Sequence, residues 1–253
     1  MQFQKKELTK NQLRNIELLI YLYEKDAVND EVVENLRQSE LEYASLLDKY
    51  RLLEEKVNLD EKTNLLRMKN DYLTNILKTA SRIYYGMKAK CYPVSFIRFD
   101  IDDFSKFNNL YGHDVGDEVL IHVARILKEN SRPTDYVIRF GGEEFDIILP
   151  STAIEGALVY IDKIFSKIRD LEIHFHGKNF KVTVSSGISH MIYEFGNAKI
   201  IENQDAEIRF KQMQREADDA LYEAKSSGKN CYRIYDKLKK DEYSKIRQLY
   251  KKN

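Results

Sequence analysis

Apolar residues along the first sixty positions recur at helical spacing, in a stretch with no proline or glycine. Leu13, Ile16, Ile20 and Tyr23 mark one face of a first helix, at steps of three and four. Asp26 to Asp30 read as its end and as the cap of a second helix. Along that second helix Ser39, Tyr43, Leu46, Tyr50, Leu53 and Val57 alternate in steps of four and three, with Glu, Lys and Arg dense on the flanks. This is the heptad pattern of a parallel coiled coil. A surface helix packed on its own domain would show the same stripe.

Beyond residue 60 the texture changes. Strand-like runs at 93–100, 135–140, 145–150 and 180–189 alternate with helix-period stretches at 114–129, 153–169 and 213–226. Interleaving of this kind predicts an α/β or α+β domain with a central sheet. The expected division is a helical segment over 1–58, a second domain over 59–236 and a basic tail over 237–253. A solvated terminal helix is the default for that tail.

Composition narrows the classes. Of 253 residues, 41 are Lys or Arg and 41 are Asp or Glu, so no net field draws the chain to a nucleic-acid polymer or to anionic lipid. Two cysteines, Cys91 and Cys231, cannot form a disulfide scaffold or a cysteine-based zinc site and are expected as small, semi-buried side chains. The opening residues lack the apolar core of a signal peptide, and the early run Leu18 to Tyr23 is far short of the ~20 residues of a spanning helix. A cytoplasmic protein with no membrane insertion is expected. His174 and His176 alternate on an expected strand, a spacing able to hold zinc, but no third ligand stands nearby in sequence.

Three features carry chemistry. At the end of the first apolar strand stands Phe99-Asp100-Ile101-Asp102-Asp103-Phe104, where Asp100 and Asp102 can share a strand face. Carboxylates so close repel unless a cation, a helix N-terminus or solvent offsets them. Mg²⁺ suits such oxygen donors, taking one or two carboxylates and leaving its other positions to water and phosphate; an acidic turn with Asp as a cap is the plainer alternative. The second feature is Arg139-Phe140-Gly141-Gly142-Glu143-Glu144-Phe145, two glycines joining two strands as a hairpin. Gly-Gly lets a bulky anion approach the backbone, and Glu143 and Glu144 point opposite ways, one of them toward a metal. The third is Asn108 with Gly112-His113 and Gly116-Asp117, opening the helix that runs to about Glu129. An amide and a carboxylate together can read guanine; helix capping by either residue is the alternative.

With these residues in place, the chain from about Leu59 to Tyr235 resembles the GGDEF domains of diguanylate cyclases. The signature hairpin stands as Gly141-Gly142-Glu143-Glu144-Phe145. The block F-D-x-D-x-F…N…G-H-x-x-G-D is matched by Phe99, Asp100, Asp102, Phe104, Asn108, Gly112, His113, Gly116 and Asp117. The motif A-D-x-A-L-Y-x-A-K-x-x-G-x-N runs from Ala217 to Asn230.

The resemblance implies an α+β fold with a central, mostly antiparallel sheet flanked by helices, similar to polymerase palms and nucleotidyl cyclases. It implies condensation of two GTP into cyclic di-GMP with release of two pyrophosphates, across a homodimer in which each domain holds one GTP. Asp100, the Ile101 carbonyl and Glu143 would bind Mg²⁺, with Mn²⁺ as the alternative ion. Glu144, or Glu143 itself, would take the proton of the attacking hydroxyl. Asn108 and Asp117 would read guanine, with His113 beside them, and Lys225 and Lys229 would hold phosphate. Arg132 and Asp135 fit the family's R-x-x-D site for inhibition by the product. Departures are Lys229 in place of arginine, Ser105 in place of a lysine, and a degraded opening motif at Asp60-Glu61-Lys62-Thr63-Asn64-Leu65. Lys106, next to Ser105, is expected to point elsewhere. Such departures bear on rate more than on reaction type. The N-terminal heptads would raise the local concentration of the second domain and offer a surface to an unidentified regulatory partner. A catalytically weak receptor for cyclic di-GMP or GTP is the competing reading, and a scaffold acting through its helical N-terminus is a third.

Overall fold

The computed structural model describes residues 58–83, 91–194 and 203–250, with isolated positions between 21 and 46. The chain divides into two units, Met1–Val57 and Asn58–Asn253. In the first unit Tyr21, Leu22, Glu24 and Leu46 are helical; the other heptad positions lie outside the described residues.

In the second unit the order is β1 (Leu66–Arg67), α1 (Tyr72–Ile83), β2 (Cys91–Ile101), α2 (Phe104–Tyr111), α3 (His113–Glu129), β3 (Tyr136–Gly141) and β4 (Glu144–Pro150). It continues with α4 (Ile154–Arg169), β5 (Ile173–Phe175), β6 (Lys178–Phe180), β7 (Val184–Glu194), α5 (Asn203–Ser226), β8 (Tyr232–Ile234), a 3₁₀ turn (Lys237–Lys239) and α6 (Lys240–Tyr250). Six strands form one sheet in the order β1-β3-β4-β2-β7-β8. Its inner pairings are antiparallel, and only β1 with β3 and β7 with β8 run parallel. The fold is therefore α+β with a mostly antiparallel sheet, as the resemblance implied.

The alternation along β2 builds two cores. Ile97, Phe99 and Ile101 face α3 and α4, joining Val119, Val123, Leu127, Ile161 and Ile164. Val94 and Phe96 face the other way, joining Leu73 and Leu77 of α1 and Phe210 and Met213 of α5. Continuing the second set, Arg98 and Asp100 occupy the face that α5 covers. Gly187 lets α5 close onto β7, since a Cβ there would stand 1.9 Å from the Ala217 carbonyl oxygen and 2.4 Å from the Leu221 nitrogen.

Several expectations change in detail. The expected strand at 180–189 is two elements, because Val182 and Thr183 leave the ladder between β6 and β7. The last long helix begins ten residues earlier than its apolar period suggested, at Asn203. His174 lies on β5, but His176 sits in the following turn with φ of 47°, so the two do not share a strand face. Cys91 is exposed rather than semi-buried, at the first residue of β2. The tail is no solvated appendage: Tyr243 of α6 is only 1% exposed.

Candidate functional site

The site forms where β2 ends and the β3–β4 hairpin turns. Asp100 pairs with Glu144 across the ladder, and the Ile101 N–H donates to the Glu143 carbonyl at 3.3 Å. These contacts bring the acidic strand end and the glycine turn to one place. Gly142, with φ of 52°, supplies the left-handed residue of the turn. Arg139 holds the turn from beneath: its Nη2 donates to the Gly142 carbonyl at 2.9 Å, and its Nη1 to Asp60 Oδ1 at 2.8 Å. Asp60 also accepts from the Thr63 N–H and hydroxyl at 2.9 and 2.7 Å. The degraded opening motif thus still anchors the hairpin.

A cavity of about 220 Å³ opens between these elements, lined by Asp100, Ile101, Asp102, Asp103, Glu143, Lys225 and Lys229, with Ser105 and Lys106 at its edge. Lys225 donates to Asp100 Oδ2 at 2.6 Å. Burial raises the Asp100 carboxyl to about 6, with Glu143 and Asp102 adding to the rise and Lys225 opposing it. Asp100 in turn holds the Lys225 ammonium above its ordinary range against the effect of burial. Lys229 and Lys106 both pair with Asp103, at 2.7 and 2.9 Å. The structure therefore corrects the expectation for Lys106, which turns into the cavity mouth. Asp103 and Lys229 both adopt left-handed backbone, with φ of 54° and 63°, the kind of local strain that functional sites hold.

Asp102 does different work. It accepts from the Thr183 and Ser185 hydroxyls at 2.7 and 2.6 Å and from the Asn230 N–H at 3.0 Å. It ties the end of β2 to β7 and to the turn that carries Lys229. Glu144 shares the α5 face of the sheet with Asp100 but does not line the cavity. Burial pushes its carboxyl up while Arg98 pulls it down. Arg98 forms a two-pronged pair with Asp146, at 2.8 Å for each prong.

At the junction of α2 and α3, Asn108 Oδ1 is wholly buried with no hydrogen-bond partner. It lies over Gly116, where a Cβ would come within 1.8 Å of it. Asp117 follows and pairs with Lys62. His113, expected with them, is exposed at the first position of α3 and does not line the cavity. At the far end of β3 the Arg132–Asp135 turn closes on itself: the Asp135 N–H donates to the Arg132 carbonyl at 3.0 Å, and the Arg132 N–H to Asp135 Oδ2 at 2.7 Å. Asp135 Oδ1 is buried without a partner, and Arg132 is exposed.

Asp100 and Glu143 with the Ile101 carbonyl form an all-oxygen donor set, and two carboxylates are as many as Mg²⁺ ordinarily takes. Among the described residues no cluster of three His, Cys, Asp or Glu groups suits a metal, so a cation here would complete its shell with water and phosphate. Lys62, Asp60 and Lys106 are the participants that motif reading passed over.

The glycine hairpin thus stands against the acidic end of β2, with Lys225 and Lys229 lining the cavity between them. A family model described as diguanylate cyclase, GGDEF domain, matches residues 57–231, and the chain belongs to that family. It is 37% identical over 177 residues to the uncharacterized protein YtrP of Bacillus subtilis, covering 68% of this chain and 27% of YtrP. It is 33% identical over 165 residues to diguanylate cyclase A of Treponema denticola, covering 65% of this chain and 41% of that protein. The chain thus spans less than half the length of either relative. The solved coiled coil and GGDEF domain of DgcB from Caulobacter crescentus, in complex with c-di-GMP, is similar in fold, with a TM-score of 0.63 and 23% identity. That match covers 81% of this chain and 100% of the other. Among the described residues no helix is long and apolar enough to cross a membrane.

Proposed function

We propose that this chain is a diguanylate cyclase, condensing two GTP into cyclic di-GMP and two pyrophosphates in the cytoplasm. The observation that carries the reading is the juxtaposition of Asp100, Glu143, Lys225 and Lys229 around one cavity. Asp100, the Ile101 carbonyl and Glu143 would hold Mg²⁺ or Mn²⁺. When bound, such a cation supplies charge neutralisation on the phosphates and lowers the pKa of the attacking hydroxyl. Lys225 exchanges its partner Asp100 for phosphate, and Lys229 exchanges Asp103. Glu143, which lines the cavity, takes the proton of the 3′-hydroxyl; Glu144, half-buried beside Asp100 with its carboxyl above its ordinary range, is the alternative base. Asn108 and Asp117 read the guanine edge, Asp117 sharing or releasing Lys62.

One domain carries half of this chemistry, since each 3′-hydroxyl attacks the α-phosphate held by another copy. The N-terminal heptads join two copies as a homodimer, which raises the effective concentration of the second half-site. Arg132 and Asp135 bind the product and restrain turnover. The exposed guanidinium stacks on and forks to guanine and phosphate, and the Asp135 carboxylate accepts from the guanine edge once the turn opens.

The test is mass spectrometry of purified chain, stripped of nucleotide, after incubation with GTP and Mg²⁺. Cyclic di-GMP should accumulate, and Glu143→Ala should reduce it by more than about 10²-fold, beyond the loss that follows removal of a metal's outer partner. Arg132→Ala should keep the early rate and relieve its later slowing. No product from either the wild type or Arg132→Ala at high protein concentration would overturn the cyclase reading.

A further inference from the structure

Lys225 ends α5, and Lys229 lies in the turn that follows. Residues beyond the family-matched span, which stops at residue 231, contact the same last turn of α5. The Tyr243 ring of α6 stacks on Tyr235 with centroids 5.3 Å apart and planes 23° apart. Its hydroxyl accepts from the Asp236 N–H at 3.0 Å. Lys239, in the 3₁₀ turn, donates to Glu223 Oε1 at 2.7 Å, and Arg233 Nε approaches the same oxygen at 3.9 Å.

Glu223 is an awkward place for a carboxylate. It sits in the last turn of α5, at the negative end of the helix dipole, with its side chain only 16% exposed. Its backbone carbonyl is also the post for the turn to Lys229, accepting from the hydroxyls of Ser226 and Ser227 at 2.9 and 2.8 Å and from the Ser227 N–H at 3.0 Å. Lys239 offsets the side-chain charge. Without it, the carboxylate stands at the negative end of α5 with the Tyr243 hydroxyl and an arginine 3.9 Å away as its remaining partners, and opening the last turn to water is the relief. That opening would carry Lys225 and Lys229 out of place.

We infer that segment 236–246 is a brace in which Lys239 and Tyr243 are positioning residues for the two lysines. The inference rests on the reading of Lys225 and Lys229 as groups that hold the phosphates of GTP. GMP lacks the β- and γ-phosphates, so it serves as the internal control.

The experiment measures GTP and GMP affinity with Mg²⁺ by titration calorimetry for the full chain and its variants. Lys239→Met and Tyr243→Ala should each weaken GTP about tenfold, the scale of one displaced charged hydrogen bond, and leave GMP within about twofold. Tyr243→Phe, which keeps the stack, should lose less. Adding Glu223→Gln to Lys239→Met should restore GTP binding, because a neutral amide needs no cation. Unchanged GTP affinity, equal weakening of GTP and GMP, or a double variant no better than Lys239→Met would overturn the brace. A wild-type chain that binds GTP no better than GMP would remove the reading of the lysines, and the brace with it.

Discussion

Two cation–carboxylate pairs sit two residues apart on the same face of β2, and they are built differently. Arg98 meets Asp146 through two parallel hydrogen bonds, with side chains 7% and 0% exposed, and Phe140 covers the guanidinium at 4.0 Å. Lys225 meets Asp100 through one contact at the wall of an open cavity. The arginine fork occupies both oxygens of its carboxylate. The ammonium is a point charge and satisfies only one. Asp100 remains raised to about 6 by burial and by its acidic neighbours, despite Lys225, and burial raises the Asp146 carboxyl as well, despite its fork. The first pair is saturated by its fork, although Arg98 also borders a second cavity with Phe140 and Asp218. Under the proposed function the second is an exchangeable pair, with a cation as the competitor for Asp100 and a phosphate for Lys225.

The sharpest way to break this comparison is to leave one member of the forked pair alone. Asp146→Ala leaves the buried Arg98 charge with only Asp218, at 3.7 Å, as its ion-pair partner and should cost up to about 3–5 kcal/mol in urea denaturation, whereas the double variant Arg98→Met/Asp146→Leu should cost markedly less. A smaller effect is expected at the proposed guanine-reading end. Gly116→Ala puts a Cβ 1.8 Å from Asn108 Oδ1, so overpacking should cost about 1–3 kcal/mol and GTP binding should weaken with it. Smaller again is the hairpin anchor. Burial would raise the Asp60 carboxyl, but hydrogen bonds from Arg139 and Thr63 outweigh it and lower the pKa from 3.8 to about 2. Its stabilisation is therefore present above the unfolded value of 3.8 and is lost as pH falls through about 2. Asp60→Asn should flatten the acid limb of the melting temperature in that window, by an amount worth at most about 1 kcal/mol.

How much of this was legible in the sequence depended on separation along the chain. The hairpin glycines, the acidic strand end and the closing motif of α5 are each local, and the interleaving of strand-like with helix-period runs was enough to foresee a central sheet. Asp102 looked like a third metal-side carboxylate because its partners Thr183, Ser185 and Asn230 lie 81, 83 and 128 residues away. Lys62 reaches Asp117 across 55 residues and Arg139 reaches Asp60 across 79. Lys106 was misjudged because a regular strand was carried past Ile101, where Asp103 turns the chain left-handed and starts α2. The tail misled through composition, since its lysines hid one tyrosine that fills the space beside α5.

The most direct measurement compares GTP–Mg²⁺ affinity by titration calorimetry in the wild type, in Lys225→Met, and in Arg98→Met/Asp146→Leu. An exchangeable pair beside a forked one predicts a loss of about tenfold or more for Lys225→Met and a change within about threefold for the double variant. The reverse order, with Lys225→Met binding GTP like the wild type and the double variant losing it, would contradict the account.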